Sequence, residues 1–164
     1  ERRSEVINKA ITRLTSASQQ MTVLTEAFLL LGKEHLETQH LTPVELSQRL
    51  TQILDEMTQY SLAQQVGFQL NQTPCAPVLA PQSWVDIVIT NLLKNAFSYS
   101  VGPIAIHLAQ GSLRISNQHN GNDLDNAGFG CGLIIVARVC ERMNWHFLTE
   151  NDGKTFIATV QFSH

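Results

Sequence analysis

No cluster of basic residues occurs anywhere in these 164 residues: 11 Lys and Arg are scattered among 14 Asp and Glu, giving a formal net charge of -3. The electrostatic footprint of a nucleic-acid binder is missing. No apolar run approaches the roughly 20 residues needed to cross a bilayer, so neither a membrane span nor a signal peptide is expected. Cysteine is scarce too. Cys75, Cys131 and Cys140 are odd in number and scattered, and no CxxC or Cys/His spacing suits zinc or a disulfide framework. A reduced, cytosolic setting fits this usage. The chain is nonetheless 43% hydrophobic, which argues against disorder. Its length suits one ordinary domain of roughly 100–150 residues with a helical appendage.

The appendage is legible first. From Val6 to Leu31 the apolar positions keep a heptad, with Ile7, Leu14, Met21 and Phe28 in one register and Ala10, Ala17, Leu24 and Leu31 in the other. With no Pro or Gly inside, this spacing predicts a long helix carrying a bundle or coiled-coil seam. One helix cannot bury its own stripe, so it needs partners from another copy or from chain N-terminal to it; the alternative is a helix simply packed on its own domain. The stretch from Gly32 to Leu41 is polar and reads as a hinge. Thr42-Pro43-Val44-Glu45 reads as a capping box opening a helix that runs to about Gln64. Val66 to Leu70 reads as a strand, and Thr73 to Pro81, with three prolines, as an extended connector. Ser83 and Asp86 look like the cap of a helix ending near Ser100. Beyond the Gly102-Pro103 turn, Ile104 to Leu108 and Leu113 to Ser116 make a hairpin. Gln118 to Ala127 is polar and predicts a loop. The glycines at 128 to 132 lead into a helix over Leu133 to Met143, and two strands, His146 to Thr149 and Thr155 to Phe162, close the chain. This order predicts an α+β fold, a mixed sheet covered on one face by helices.

Two features carry possible chemistry. Asn91 and Asn95 are four apart and share one face of an otherwise apolar helix. Asparagine is a poor interior helix residue because its amide competes for backbone hydrogen bonds. Such a pair could offer carbonyl oxygens to a hard cation and NH2 groups to phosphate, or it could bond neighbouring loop backbone or face water. The second feature is Gly128-Phe129-Gly130-Cys131-Gly132 opening a helix. Glycines allow close backbone approach to an anion at a helix N-terminus, although a plain loop has the same composition. Neither the dinucleotide fingerprint nor a P-loop is present. Together the two features are complementary halves of a Mg²⁺-triphosphate site.

Here the sequence resembles the sensor histidine kinases. Asn91-Leu92-Leu93-Lys94-Asn95-Ala96-Phe97-Ser98-Tyr99-Ser100 is similar to their N-box, and Gly128 to Val136 to their second glycine box. The likeness extends over Leu41 to Phe162, with the boxes in the right order around a hairpin. It implies a two-layer α/β sandwich of the Bergerat type, shared with type II topoisomerases, Hsp90 and mismatch-repair ATPases. Residues 37–164 would form the catalytic ATP-binding domain. Residues 1–36 would be part of a dimerisation and phosphotransfer hairpin, forming a four-helix bundle in a homodimer. Carried over, Asn95 would coordinate Mg²⁺ and Asn91 would help hold the phosphates of ATP. Tyr99 would lie against adenine. Gly128, Gly130 and Gly132 would form the hinge of an ATP lid, Leu133 would pack near the nucleotide, and Thr155 would assist adenine recognition. The adenine-reading Asp of the family is replaced by Asn117, whose carbonyl can still accept from the adenine amino group; the alternative is a hairpin-exit residue capping backbone.

Other departures concern activity. Ser98 stands where a cation is common, and the loop from Gln118 to Ala127 is short and lacks the usual phenylalanine box. None of His35, His40, His107, His119, His146 and His164 carries the phosphoacceptor pattern, so the acceptor is expected N-terminal to residue 1, or is absent. His119 reads as a solvated lid residue. Superfamily members that hydrolyse ATP carry a Glu four residues before the metal-binding Asn; here Asn91 occupies that place and cannot take a proton. The resemblance therefore implies phosphoryl transfer to a histidine and relay to a response regulator receiver domain. It also implies a cytoplasmic domain of a parent anchored in the bacterial inner membrane. The alternative is a degenerate, non-catalytic dimerisation and signalling module whose nucleotide pocket has decayed. An anti-sigma-type serine kinase of the same superfamily is disfavoured by the heptad arm.

Overall fold

The computed structural model describes residues 1–33, 40–60, 66–121 and 130–162. They belong to two compact units, Glu1–Thr38 and Gln39–His164. The first is helix α1 (Arg2–Lys33), unbroken over 32 residues. Ile7, Leu14 and Met21, one register of the heptad, are exposed within it. None of the described helices is long and apolar enough to cross a membrane.

In the second unit, elements follow the order β1 (Thr42–Val44), α2 (Leu46–Tyr60), β2 (Phe68–Gln72), β3 (Val78–Ala80), α3 (Gln82–Tyr99), β4 (Ile104–Ala109), β5 (Ser112–Gln118), α4 (Gly130–Met143), β6 (His146–Asn151) and β7 (Thr155–Gln161). A five-stranded sheet runs in the order β2-β4-β5-β7-β6. Only β2 and β4 are parallel, joined by a crossover through α3; the remaining neighbours are antiparallel. Alternation decides which face is covered. Ile104, Ile106 and Leu108, Leu113 and Ile115, and Phe156, Ala158 and Val160 are buried, while the residues between them are more open. That apolar face lies under the helices, as the two-layer expectation requires. Helix α3 forms the centre of the core because it is apolar nearly all round: Trp84, Val85, Val88, Ile89, Leu92, Leu93, Ala96 and Phe97 are buried.

The hairpin between β4 and β5 turns on Gln110 (φ 52) and Gly111 (φ 75), two left-handed residues in succession, as a twisted two-residue connection demands. Helix α4 ends in a Schellman motif. Asn144 (φ 60) donates to the Glu141 carbonyl, and Trp145 N–H reaches the Cys140 carbonyl at 2.8 Å. Inside that last turn the Cys140 thiol is buried, and desolvation pushes its pKa up to about 12. The thiolate is the reactive form, so Cys140 should resist iodoacetamide at pH 8 while half-exposed Cys75 is modified. Mass mapping before and after unfolding checks this; labelling of Cys140 in the native chain at the rate of Cys75 would contradict it.

Several local expectations are corrected. Thr42-Pro43-Val44 is not a helix cap but β1, paired antiparallel with β3, and the helix starts at Leu46. The proline connector thus contains a strand: Pro74, Pro77 and Pro81 flank Val78–Ala80 without interrupting it. A partner distant in sequence overrode a local capping signal. Ser83 and Asp86 do not cap α3, whose N-cap is Pro81 with no side-chain bond. Asp86 instead takes a two-pronged ion pair from Arg49, Nε to Oδ1 and Nη2 to Oδ2 both at 2.8 Å, tying α2 to α3. The strand expected over Val66 to Leu70 runs from Phe68 to Gln72, where pairing with β4 sets its register.

Candidate functional site

One end of the helical layer gathers the amides singled out in the sequence. Asn91 and Asn95 lie one turn apart on α3, half-buried and 9% exposed respectively. The Asn91 Nδ2 donates to the Ile87 carbonyl at 2.8 Å, a bond back along its own helix, which fixes the amide and turns its Oδ1 outward. That oxygen faces the first turn of α4. A Cβ added at Gly132 would meet Asn91 Oδ1 at 3.3 Å, so only glycine lets the α4 N-terminus approach α3 this closely without a shift. The free N–H groups of that turn and the positive end of α4 therefore lie beside the two-asparagine face. Asn95 makes no side-chain hydrogen bond to any described residue, which leaves its carbonyl oxygen available.

The third amide comes from the sheet. Val101 N–H bonds the Gln118 carbonyl at 2.8 Å, drawing the chain just beyond α3 to the exit of β5. Tyr99 and Asn95, on the last turns of α3, thus belong to the same end of the domain as Asn117. Asn117 pairs with Phe156 of β7 and points with it toward the helices. It is 2% exposed, and its Oδ1 has no partner among the described residues. Its Nδ2 has only a long contact, 3.5 Å, to the Gln118 carbonyl. A buried carbonyl without a donor costs free energy of roughly 1–3 kcal/mol, so such groups call for an explanation.

Two expectations fare differently. Thr155 pairs with Gln118, so the pleat directs it to the sheet face opposite Asn117. In the β6–β7 turn it bonds through its backbone: its N–H donates to Asp152 Oδ1 at 2.7 Å and its carbonyl accepts from Asp152 N–H at 3.3 Å. His119 is not a solvated lid residue: it is 5% exposed, with Nε2 3.0 Å from Asn151 Oδ1 and its own N–H on the Lys154 carbonyl. The turn it leans on is held by Asp152, whose carboxyl is kept below the usual range by the N–H groups of Thr155 and Lys154. Sequence reasoning missed the burial of His119 because the residues it bonds, Asn151 and Lys154, lie far along the chain. Gly130 opens α4, and Leu133 is half-buried one residue past Gly132. Gly128 and most of the expected lid lie outside the described residues.

Among the described residues no group of three His, Cys, Asp or Glu could cage a metal. The donor set fits a hard cation in another way. Asn95 offers one neutral oxygen; Mg²⁺ usually takes one or two carboxylates with phosphate oxygens and water completing the shell, so with an amide ligand the phosphates would supply the negative charge.

No family model and no curated protein matches this sequence. Solved structures do. The cytoplasmic segment of histidine kinase QseC superposes with a TM-score of 0.69 at 18% identity, over 89% of this chain and 94% of that one. The Acinetobacter baumannii histidine kinase AdeS gives 0.66 at 17% identity, over 93% and 79%. Full-length ShkA in complex with AMPPNP gives 0.64 at 19%, over 94% and 39%. The chain therefore has the fold of a histidine kinase cytoplasmic segment, a two-layer α/β domain preceded by a long helix.

Proposed function

We propose that residues 37–164 bind Mg²⁺-ATP and present its γ-phosphate to a histidine, as the catalytic domain of a two-component sensor histidine kinase. The observation that carries this reading is the orphaned, buried Oδ1 of Asn117 at the β5 exit, beside the end of α3 that bears Asn95 and Tyr99. An adenine amino group would supply the missing donor. Asn95 would hold Mg²⁺, which when bound neutralises phosphate charge. The α4 N-terminus beside Asn91 would receive the phosphates, as helix N-termini do. Tyr99 and Leu133 would supply flat and apolar surface to the base.

The residues favour transfer over hydrolysis. A hydrolase needs a base to take a proton from water, and the amide at position 91 cannot do so; one proton of its NH2 bonds the Ile87 carbonyl, which leaves the other for phosphate. The chain's contribution is then positioning, with the attacking imidazole supplied from outside this domain. The exposed Ile7, Leu14 and Met21 of α1 support the second half of the reading, a homodimer joined through that helix, from which phosphate passes to a response regulator receiver domain.

Titration with a ribose-labelled fluorescent ATP analogue tests the site. The expected result is saturable binding that weakens at least about tenfold on chelating Mg²⁺, a change of ~1.4 kcal/mol. Absence of any saturable signal would overturn this reading in favour of a signalling module with a decayed pocket.

A further inference from the structure

We infer that Asn117 makes the base end of this site a reader of purines in general, accepting guanine alongside adenine; the inference rests on the nucleotide-binding reading above. The Asn117 carboxamide is 2% exposed and faces the helical layer. Neither of its ends is firmly held: Oδ1 has no partner among the described residues, and Nδ2 has only the 3.5 Å contact to the Gln118 carbonyl. Rotation of the terminal amide by half a turn therefore breaks no strong bond.

The chemistry of the two purine edges does the rest. Adenine presents an amino donor at C6 beside an acceptor at N1. Guanine presents the reverse, an acceptor at O6 beside a donor at N1. A carboxamide carries one acceptor and two donors side by side, so in one orientation it matches adenine and in the other guanine. A carboxylate has acceptors only. In the pose in which it accepts from the adenine C6 amino group, it would meet guanine O6 with negative charge and no proton, which is the kind of unpaired contact that gives a hydrogen-bonding site strong selectivity. An amide at this position removes that rejection while keeping the pairing to adenine.

Competition against a bound ribose-labelled fluorescent ADP analogue, with Mg²⁺ present, measures this on the whole chain. ATP, GTP and inosine triphosphate are expected to displace the probe with affinities within about tenfold of one another, as a site able to pair with both edges implies. Inosine triphosphate has the guanine-like C6 and N1 groups without the 2-amino group, so it isolates the edge that Asn117 would read. In Asn117→Asp, GTP and inosine triphosphate should each lose at least about tenfold relative to ATP. Wild-type protein that binds ATP but rejects both GTP and inosine triphosphate by about 100-fold or more would overturn the inference and leave the ATP site standing. Failure of the labelled probe to bind wild type at all would overturn the site itself and the inference with it. The wild-type comparison decides the matter even if Asn117→Asp does not fold.

Discussion

Asn95→Ala is expected to weaken Mg²⁺-ATP binding about 100-fold, close to 2.7 kcal/mol, while moving the thermal midpoint by no more than a few degrees. The two halves of that expectation come from one structural fact. Asn95 lies in the apolar helix α3 at 9% exposure, yet its carboxamide makes no side-chain hydrogen bond to any described residue. Removing it from the unliganded chain therefore breaks no hydrogen bond to a described residue, and alanine is the better helix former. What the variant lacks is the hard oxygen donor, which would matter only with the cation present. Titration with and without Mg²⁺, beside a melting curve, separates the two. The substitution should flatten the Mg²⁺ dependence as well as lower affinity. A variant that keeps wild-type affinity and wild-type Mg²⁺ dependence would remove Asn95 from the site. Large destabilisation without a binding defect would assign it to packing.

The contrast between Asn95 and its neighbours shows what the sequence could carry. The unusual chemistry of two amides on an apolar helix is visible in the residue string, because helical spacing alone puts them on one face. Which amide does what is not visible: Asn91 turned out to bond the Ile87 carbonyl, a choice made by its rotamer. The glycine at 132 could be read as part of a flexible loop, but its role in the fold is steric, letting α4 approach Asn91 Oδ1 where a Cβ would stand at 3.3 Å. The strands were legible by alternation, and the five-stranded sheet follows from them. The small β1-β3 pairing was not, because Thr-Pro-Val-Glu is a good local cap and nothing nearby reveals that Val78–Ala80 will pair with it. Likewise His119 reads as polar loop until β7 and the Asn151 turn close over it. Sequence periodicity reports faces. Contacts between distant segments are set by tertiary packing, and these are where the local reading failed.

The largest effect on stability should come from Trp145→Ala, which is expected to cost about 3–5 kcal/mol, the range for deleting a large buried aromatic. Trp145 is 6% exposed and meets Phe162 edge-on, with centroids 4.8 Å apart at 64°. It is also the residue that closes α4, its N–H capping the Cys140 carbonyl. Alanine keeps that backbone bond but leaves a cavity between the end of α4 and the end of β7, so the loss is one of packing and not of capping. For a domain of this size the thermal midpoint should fall by roughly 10–20 °C. Trp145→Phe, which retains an aromatic ring against Phe162, should recover more than half of the difference. Because Trp145 stands past the C-terminal end of α4 and Gly132 in its first turn, the destabilised variant should still bind Mg²⁺-ATP with near wild-type affinity well below its midpoint. Circular dichroism melting and a nucleotide titration at 10 °C measure both quantities. A midpoint within a few degrees of wild type would show that the Trp145 cluster contributes little to the core. A binding defect equal to that of Asn95→Ala would show that the two ends of α4 are coupled.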